Sequence, residues 1–116
     1  MSNDPTPIPE ITADQADHLV AAGAFLLDVR EDEEWVAGHA PAAVHIPMGE
    51  VADRTGELPA DQVVVCICRA GGRSLAVANL LATLDFDVRN LTGGMQVWEL
   101  TGLPVIAAGG ETGQVI

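Results

Sequence analysis

Apolar positions along the chain alternate between short continuous runs and helical spacing. Thr12-Ala13-Asp14-Gln15 has the form of a capping box; Ala16, Leu19 and Val20 supply a helical stripe, which Gly23 stops. Residues 24–29, Ala-Phe-Leu-Leu-Asp-Val, read as a strand covered on both faces. Residues 32–37 predict a short helix whose acids crowd its favourable N-terminal end, with Gly38 closing it. Val44-His45-Ile46 is a brief strand, and Val63-Val64-Val65-Cys66-Ile67 is the most β-like run of all. From Ser74 a helix follows in which Val77, Leu80, Leu81 and Leu84 fall at i, i+3, i+4 and i+7, predicting one apolar face. Residues 88–91 predict another strand, and residues 95–100 a last short helix ending at Gly102. Strands alternating with helices imply right-handed crossovers and an α/β fold with a parallel sheet. Ligands of such sheets bind beyond the carboxyl ends of the strands, so chemistry is sought where a strand gives way to a helix.

Composition narrows the class. The chain of 116 residues is 48% hydrophobic and 19% charged, which suits a single globular domain. Aromatic residues are only 3%, so Ala, Val, Leu and Ile must build the core. Five Arg stand against 17 Asp and Glu, giving a formal net charge of -12. An acidic protein of this kind repels nucleic acid and anionic membrane surfaces, and neither is expected as a partner. The N-terminus has no basic stretch followed by an apolar one, and no apolar run approaches the ~20 residues that cross a bilayer. Two cysteines one residue apart are no disulfide framework. These features point to a reducing, cytoplasmic setting. Residues 1–9, with Pro5, Pro7 and Pro9, read as an extended leader; residues 10–106 form the domain; residues 107–116, rich in Gly and Ala, read as a flexible tail.

One strand-to-helix junction stands out, Cys68-Arg69-Ala70-Gly71-Gly72-Arg73-Ser74. A buried strand delivers a thiol to its carboxyl end. Gly71 and Gly72 let the backbone curl and turn its N–H groups inward. The helix that follows adds free N–H groups and its positive dipole end. Each feature favours thiolate over thiol, whose ordinary pKa is about 8.5. Every unit removed needs about 1.4 kcal/mol, and hydrogen bonds to charged groups contribute roughly 1.5–3 kcal/mol each. Arg69 and Arg73 add a positive rim suited to small anions.

Cys68-x-x-x-x-Arg73 after a β run resembles the active-site loop of the rhodanese, or sulfurtransferase, domain. The likeness extends to Asp28-Val29-Arg30-Glu31 with Glu34-Trp35 and Gly38-His39, to Ile46-Pro47, and to Gly93-Gly94-Met95-x-x-Trp98-x-x-x-Gly102-Leu103-Pro104-Val105. The match covers roughly residues 11–106, with four motifs in the expected order. The chain differs from the family at Ala40, Ala42 and His45. The resemblance implies a rhodanese-like fold, a small central parallel sheet of about five strands with helices on both faces. It also implies a catalytic Cys68 that takes a sulfane sulfur from a donor anion such as thiosulfate, becoming a persulfide. Residues Arg69, Ala70, Gly71, Gly72, Arg73 and Ser74 would cradle that persulfide until cyanide, a thiol or a protein acceptor removes the sulfur. No metal or organic cofactor is implied. Related phosphatases and arsenate reductases place one more residue between Cys and Arg, so this loop disfavours them. A non-catalytic partner-binding or redox-sensing module is the other alternative, which the intact Cys68 and Arg73 disfavour.

Other polar and aromatic residues have plainer readings. Cys66 points to the same strand face as Cys68 and reads as core rather than as a resolving thiol. Asp28 and Arg30 read as a structural pair anchoring loops. His39 and His45 have no standard zinc spacing with the cysteines, and His18 reads as a surface or boundary residue. Trp35 and Trp98 read as core plugs. The acidic run at residues 31–34 reads as a solvated helix start or a dock for a basic partner.

Overall fold

A computed structural model describes residues 7–116; the first six residues of the expected leader, with Pro5, lie outside the described residues. The strands are β1 (Glu10–Ile11), β2 (Phe25–Asp28), β3 (Ala43–His45), β4 (Val64–Ile67) and β5 (Val88–Leu91). All pair in parallel, in the order β1-β5-β4-β2-β3. The helices are α1 (Ala13–Ala21), α2 (Asp32–Ala37), α3 (Gly72–Thr83) and α4 (Gly94–Leu100). Four strands match runs visible in the sequence. The fifth, β1, is two residues long and too short to leave a periodic pattern. Two 3-10 turns, Met48–Asp53 and Thr55–Glu57, fill a stretch with no evident period.

Helix starts follow local chemistry. Thr12 Oγ1 accepts from the Gln15 N–H, and Gln15 Oε1 accepts from the Thr12 N–H, closing the capping box before α1. Glu34 Oε1 accepts from the Glu31 N–H in the same way at α2.

Alternation along the strands divides the core in two. Leu27, Val29, Val64, Cys66, Cys68 and Val88 face Val77, Ala78 and Leu81 of α3. Leu26, Val65, Ile67 and Leu91 face Ala13 and Ala16 of α1 and Met95 and Trp98 of α4. The buried stripe of α3 is thus Ser74, Val77, Ala78 and Leu81. Leu80 and Leu84, expected on that face, are exposed. The face turned to the sheet thus includes the small Ala78, which is fully buried, in place of Leu80 and Leu84.

Residues 107–116, read as a loose tail, fold back onto the domain instead. Ile106 bridges His39, Gln114 N–H donates to Ala37 O at 2.9 Å, and Val115 N–H donates to Glu99 Oε2 at 3.1 Å. Backbone pairing needs no apolar period, which is why composition misses it. Gly38 makes the approach feasible: a Cβ there would lie 2.5 Å from Gln114 O.

Trp98 is the core plug expected, its indole N–H donating to Pro104 O at 2.8 Å. Trp35 is not. It is half-buried and stacked on His39, ring centroids 3.5 Å apart, and more loosely on His45 at 4.9 Å. Asp28 and Arg30 do form a fully buried pair at 2.8 Å, and Arg30 Nη2 also donates to Gly38 O, tying β2 to the end of α2. His18 is exposed on α1.

Candidate active site

Cys68 is the first residue after β4, only 1% exposed, at the floor of the loop leading into α3. The chain turns back above it because Gly71 adopts φ +109°, a left-handed geometry that favours glycine. That turn aims the Gly71 N–H at the sulfur, N···Sγ 3.0 Å. One turn into α3, the buried Ser74 Oγ lies 3.3 Å from the same sulfur. Burial pushes the Cys68 thiol up. The Ser74 hydroxyl and the N–H groups of Ser74, Gly71 and Ala70 together outweigh it, so the net shift is downward. Cys66 has burial without donors and is pushed up to about 12. Two thiols two positions apart therefore differ in ionisation because only Cys68 reaches the loop.

The outer side of the loop is held by α4. Met95 N–H donates to Cys68 O at 2.8 Å and Gln96 N–H to Arg69 O at 3.0 Å. The Gly93-Gly94 turn makes this approach feasible; both have positive φ, and a Cβ on Gly94 would lie 2.3 Å from Cys68 O. Amides of α3 and its loop thus face the sulfur, while amides of α4 take the carbonyls turned away from it.

The two loop arginines are engaged by the protein. Arg73 makes a two-pronged pair with Glu34 of α2, at 2.7 and 3.0 Å, rather than bonding loop carbonyls. The Arg73 hydrogen bonds hold the Glu34 carboxyl down to about 2 despite its partial burial, and Glu34 in turn raises Arg73. The acidic run at 31–34 therefore supplies a site partner as well as a solvated helix start. Arg69 turns toward α4 and the C-terminal residues: Nε donates to Ile116 O at 3.0 Å, and Nη1 donates to Gln96 Oε1 at 3.0 Å once the amide is oriented to satisfy both groups. Ala70 and Gly72 are exposed, and Gly71 and Arg73 are half-buried.

Glu34, Asn90, Gly94 and Met95 join the site without having been singled out for it. A polar residue inside the Val88–Leu91 strand was the available signal for Asn90; pairing across 39 positions left none for Glu34. Among the described residues no group of three or more metal-ligating side chains is found, and no helix is long and apolar enough to cross a membrane.

Arg73→Ala is expected to slow alkylation of Cys68 roughly tenfold at neutral pH, since a nearby cation favours the thiolate. Thermal melting should show the domain still folded. Loss of the fold would make the Arg73–Glu34 pair a structural clasp only.

The model of the rhodanese-like domain matches residues 12–101. Among curated proteins, YtwF of Bacillus subtilis (strain 168) is 45% identical over 75 residues, covering 65% of this chain and 73% of its own. The thiosulfate sulfurtransferase GlpE of Pseudomonas syringae pv. syringae is 33% identical over 97 residues, covering 83% of this chain and 92% of its own. Some relatives are longer, and the chain spans 38% and 54% of two of them. A rhodanese-related protein from Thermoplasma volcanium superposes with a TM-score of 0.79 at 31% identity, over 84% of this chain and 97% of that one.

Proposed function

The chain belongs to the rhodanese-like domain family, and on that premise we propose that it is a sulfurtransferase working through a persulfide on Cys68. Relatives bearing the name sulfurtransferase support the general class. The observation that carries the mechanism is the ring of donors on one sulfur, the Gly71 N–H at 3.0 Å and the Ser74 hydroxyl at 3.3 Å.

A thiolate is the nucleophile of sulfur exchange. Cys68 Sγ attacks the outer sulfur of a donor such as thiosulfate. A new S–S bond forms, the donor's S–S bond breaks, and sulfite leaves with the electron pair. The product persulfide carries one negative charge, as the thiolate did, so the same N–H groups stabilise both ends of the step. Cyanide, or a thiolate on a small molecule or protein, then attacks the outer sulfur and Cys68 departs as thiolate. Cys68 is 1% exposed, so a donor must approach it at the floor of the loop, where the neighbouring Ala70 and Gly72 are small and exposed.

Incubation with thiosulfate should add one sulfur atom to the intact mass, and cyanide should remove it. No gain with thiosulfate, and none with a persulfide donor such as glutathione persulfide, would overturn the proposal and leave a partner-binding module ahead. Hydrolysis of an aryl phosphate would favour a phosphatase instead.

A further inference from the structure

Asn90 lies on β5 in register with Glu10 on one side and Cys66 on the other, so its side chain lies on the α3 face of the sheet. It is 2% exposed. Its amide Nδ2 donates to the Glu10 carboxylate at 3.0 Å and to Gly71 O at 3.1 Å. Glu10 is itself held by Thr92 Oγ1 at 2.9 Å. With both protons of Nδ2 committed, the amide cannot flip, and Oδ1 must face α3. There it meets Ser74 Oγ at 2.6 Å.

Ser74 has one hydroxyl proton and several acceptors: Asn90 Oδ1 at 2.6 Å, and Cys68 Sγ and Gly71 O each at 3.3 Å. We propose that Asn90 is a positioning residue that sets the direction of the Ser74 hydroxyl and so decides how readily Cys68 ionises. While Cys68 is a thiol, Ser74 donates to Asn90 and presents a lone pair to the sulfur, which the S–H proton can use. When the sulfur becomes anionic, as thiolate or persulfide, the hydroxyl proton swings to it and the bond to Asn90 is given up. Asn90 therefore restrains ionisation through Ser74, while its amide group fixes Gly71 at the turn of the loop.

The inference rests on Cys68 being the reactive sulfur of the proposed function, but its test uses no sulfur donor. The rate of Cys68 alkylation by iodoacetamide, read by mass at that residue, gives a pH profile whose midpoint reports the thiolate. Asn90→Leu removes the competing acceptor and should move the midpoint down by about half a unit to one unit. Ser74→Ala should move it up. In the Ser74→Ala background, Asn90→Leu should produce no further downward movement, because the hydroxyl through which it acts is gone. Asn90→Thr, which suits a strand and is too short to reach Ser74, carries the same expectation. An unmoved midpoint in the single variants overturns the proposal, as does a downward shift that persists without Ser74. Failure of both Asn90 variants to fold overturns it too, leaving Asn90 a structural residue. Failure of thiosulfate to load sulfur would leave these profiles unchanged, so the two outcomes are separable.

Discussion

Cys68→Ser is expected to lower sulfur transfer from thiosulfate to cyanide by at least about a thousandfold while leaving the domain folded. A serine at this position has no sulfur with which to form the persulfide bond, and its hydroxyl is not ionised near neutrality. It still meets the Gly71 N–H and Ser74, so no buried donor is orphaned and thermal melting should change little. In the unaltered protein, the rate should rise with pH through the lowered Cys68 pKa and then level off. Acidification restores the thiol, so activity is lost on the acid side. Glu34, held near 2, stays ionised throughout the usual assay range and does not contribute to that limb. A Cys68→Ser variant that still transfers sulfur would move the chemistry elsewhere in the molecule. A rate with its midpoint at the ordinary thiol value, about 8.5, would remove the donor ring from the mechanism.

Gly94→Ala should damage both the site and the fold. The added Cβ would lie 2.3 Å from Cys68 O and 2.7 Å from Arg69 C and O, all backbone atoms with no flexible end to yield. Forcing the loop aside costs roughly 1–3 kcal/mol as overpacking, and the left-handed φ of +57° adds about 1–2 kcal/mol for a residue with a Cβ. A fall of roughly 10–20 °C in melting temperature is expected. The surviving folded protein should alkylate Cys68 more slowly, because moving Cys68 O moves the sulfur away from its donors. Gly72→Ala is the matched control. It lies in the same loop, has no positive φ and meets nothing within 4 Å, so it should melt and react nearly as the original does. If Gly94→Ala behaved like Gly72→Ala, α4 would not brace the loop.

What could be read from the sequence was local. Caps such as Thr12-Ala13-Asp14-Gln15, strand runs such as residues 63–67, and the glycines after Cys68 leave signals within a few positions. Their meaning survived folding because short-range geometry dictates it. Features built from distant partners left no such trace. Arg73 looked like a cation awaiting an anion because Glu34 is far away in sequence. Residues 107–116 look loose in the sequence because their bonds run through the main chain to Val36, Ala37 and Val105. Leu80 and Leu84 satisfied helical periodicity as well as the residues that are buried, and only the shape of the sheet selected Ser74, Val77, Ala78 and Leu81. The bulk of Trp35 suggests a core plug, whereas its indole stacks with the imidazoles of His39 and His45.

The sulfur is surrounded mainly by main-chain amides, and those groups belong to every amino acid alike. The exposed side chains of Arg69 and Ala70 are not among the groups that stabilise the sulfur, and can therefore be exchanged for other residues without dismantling its electrostatics. Under the proposed function, substitutions on the outer face of the loop would alter which donor anion is preferred, while the stabilisation of charge on the sulfur stays with the main chain.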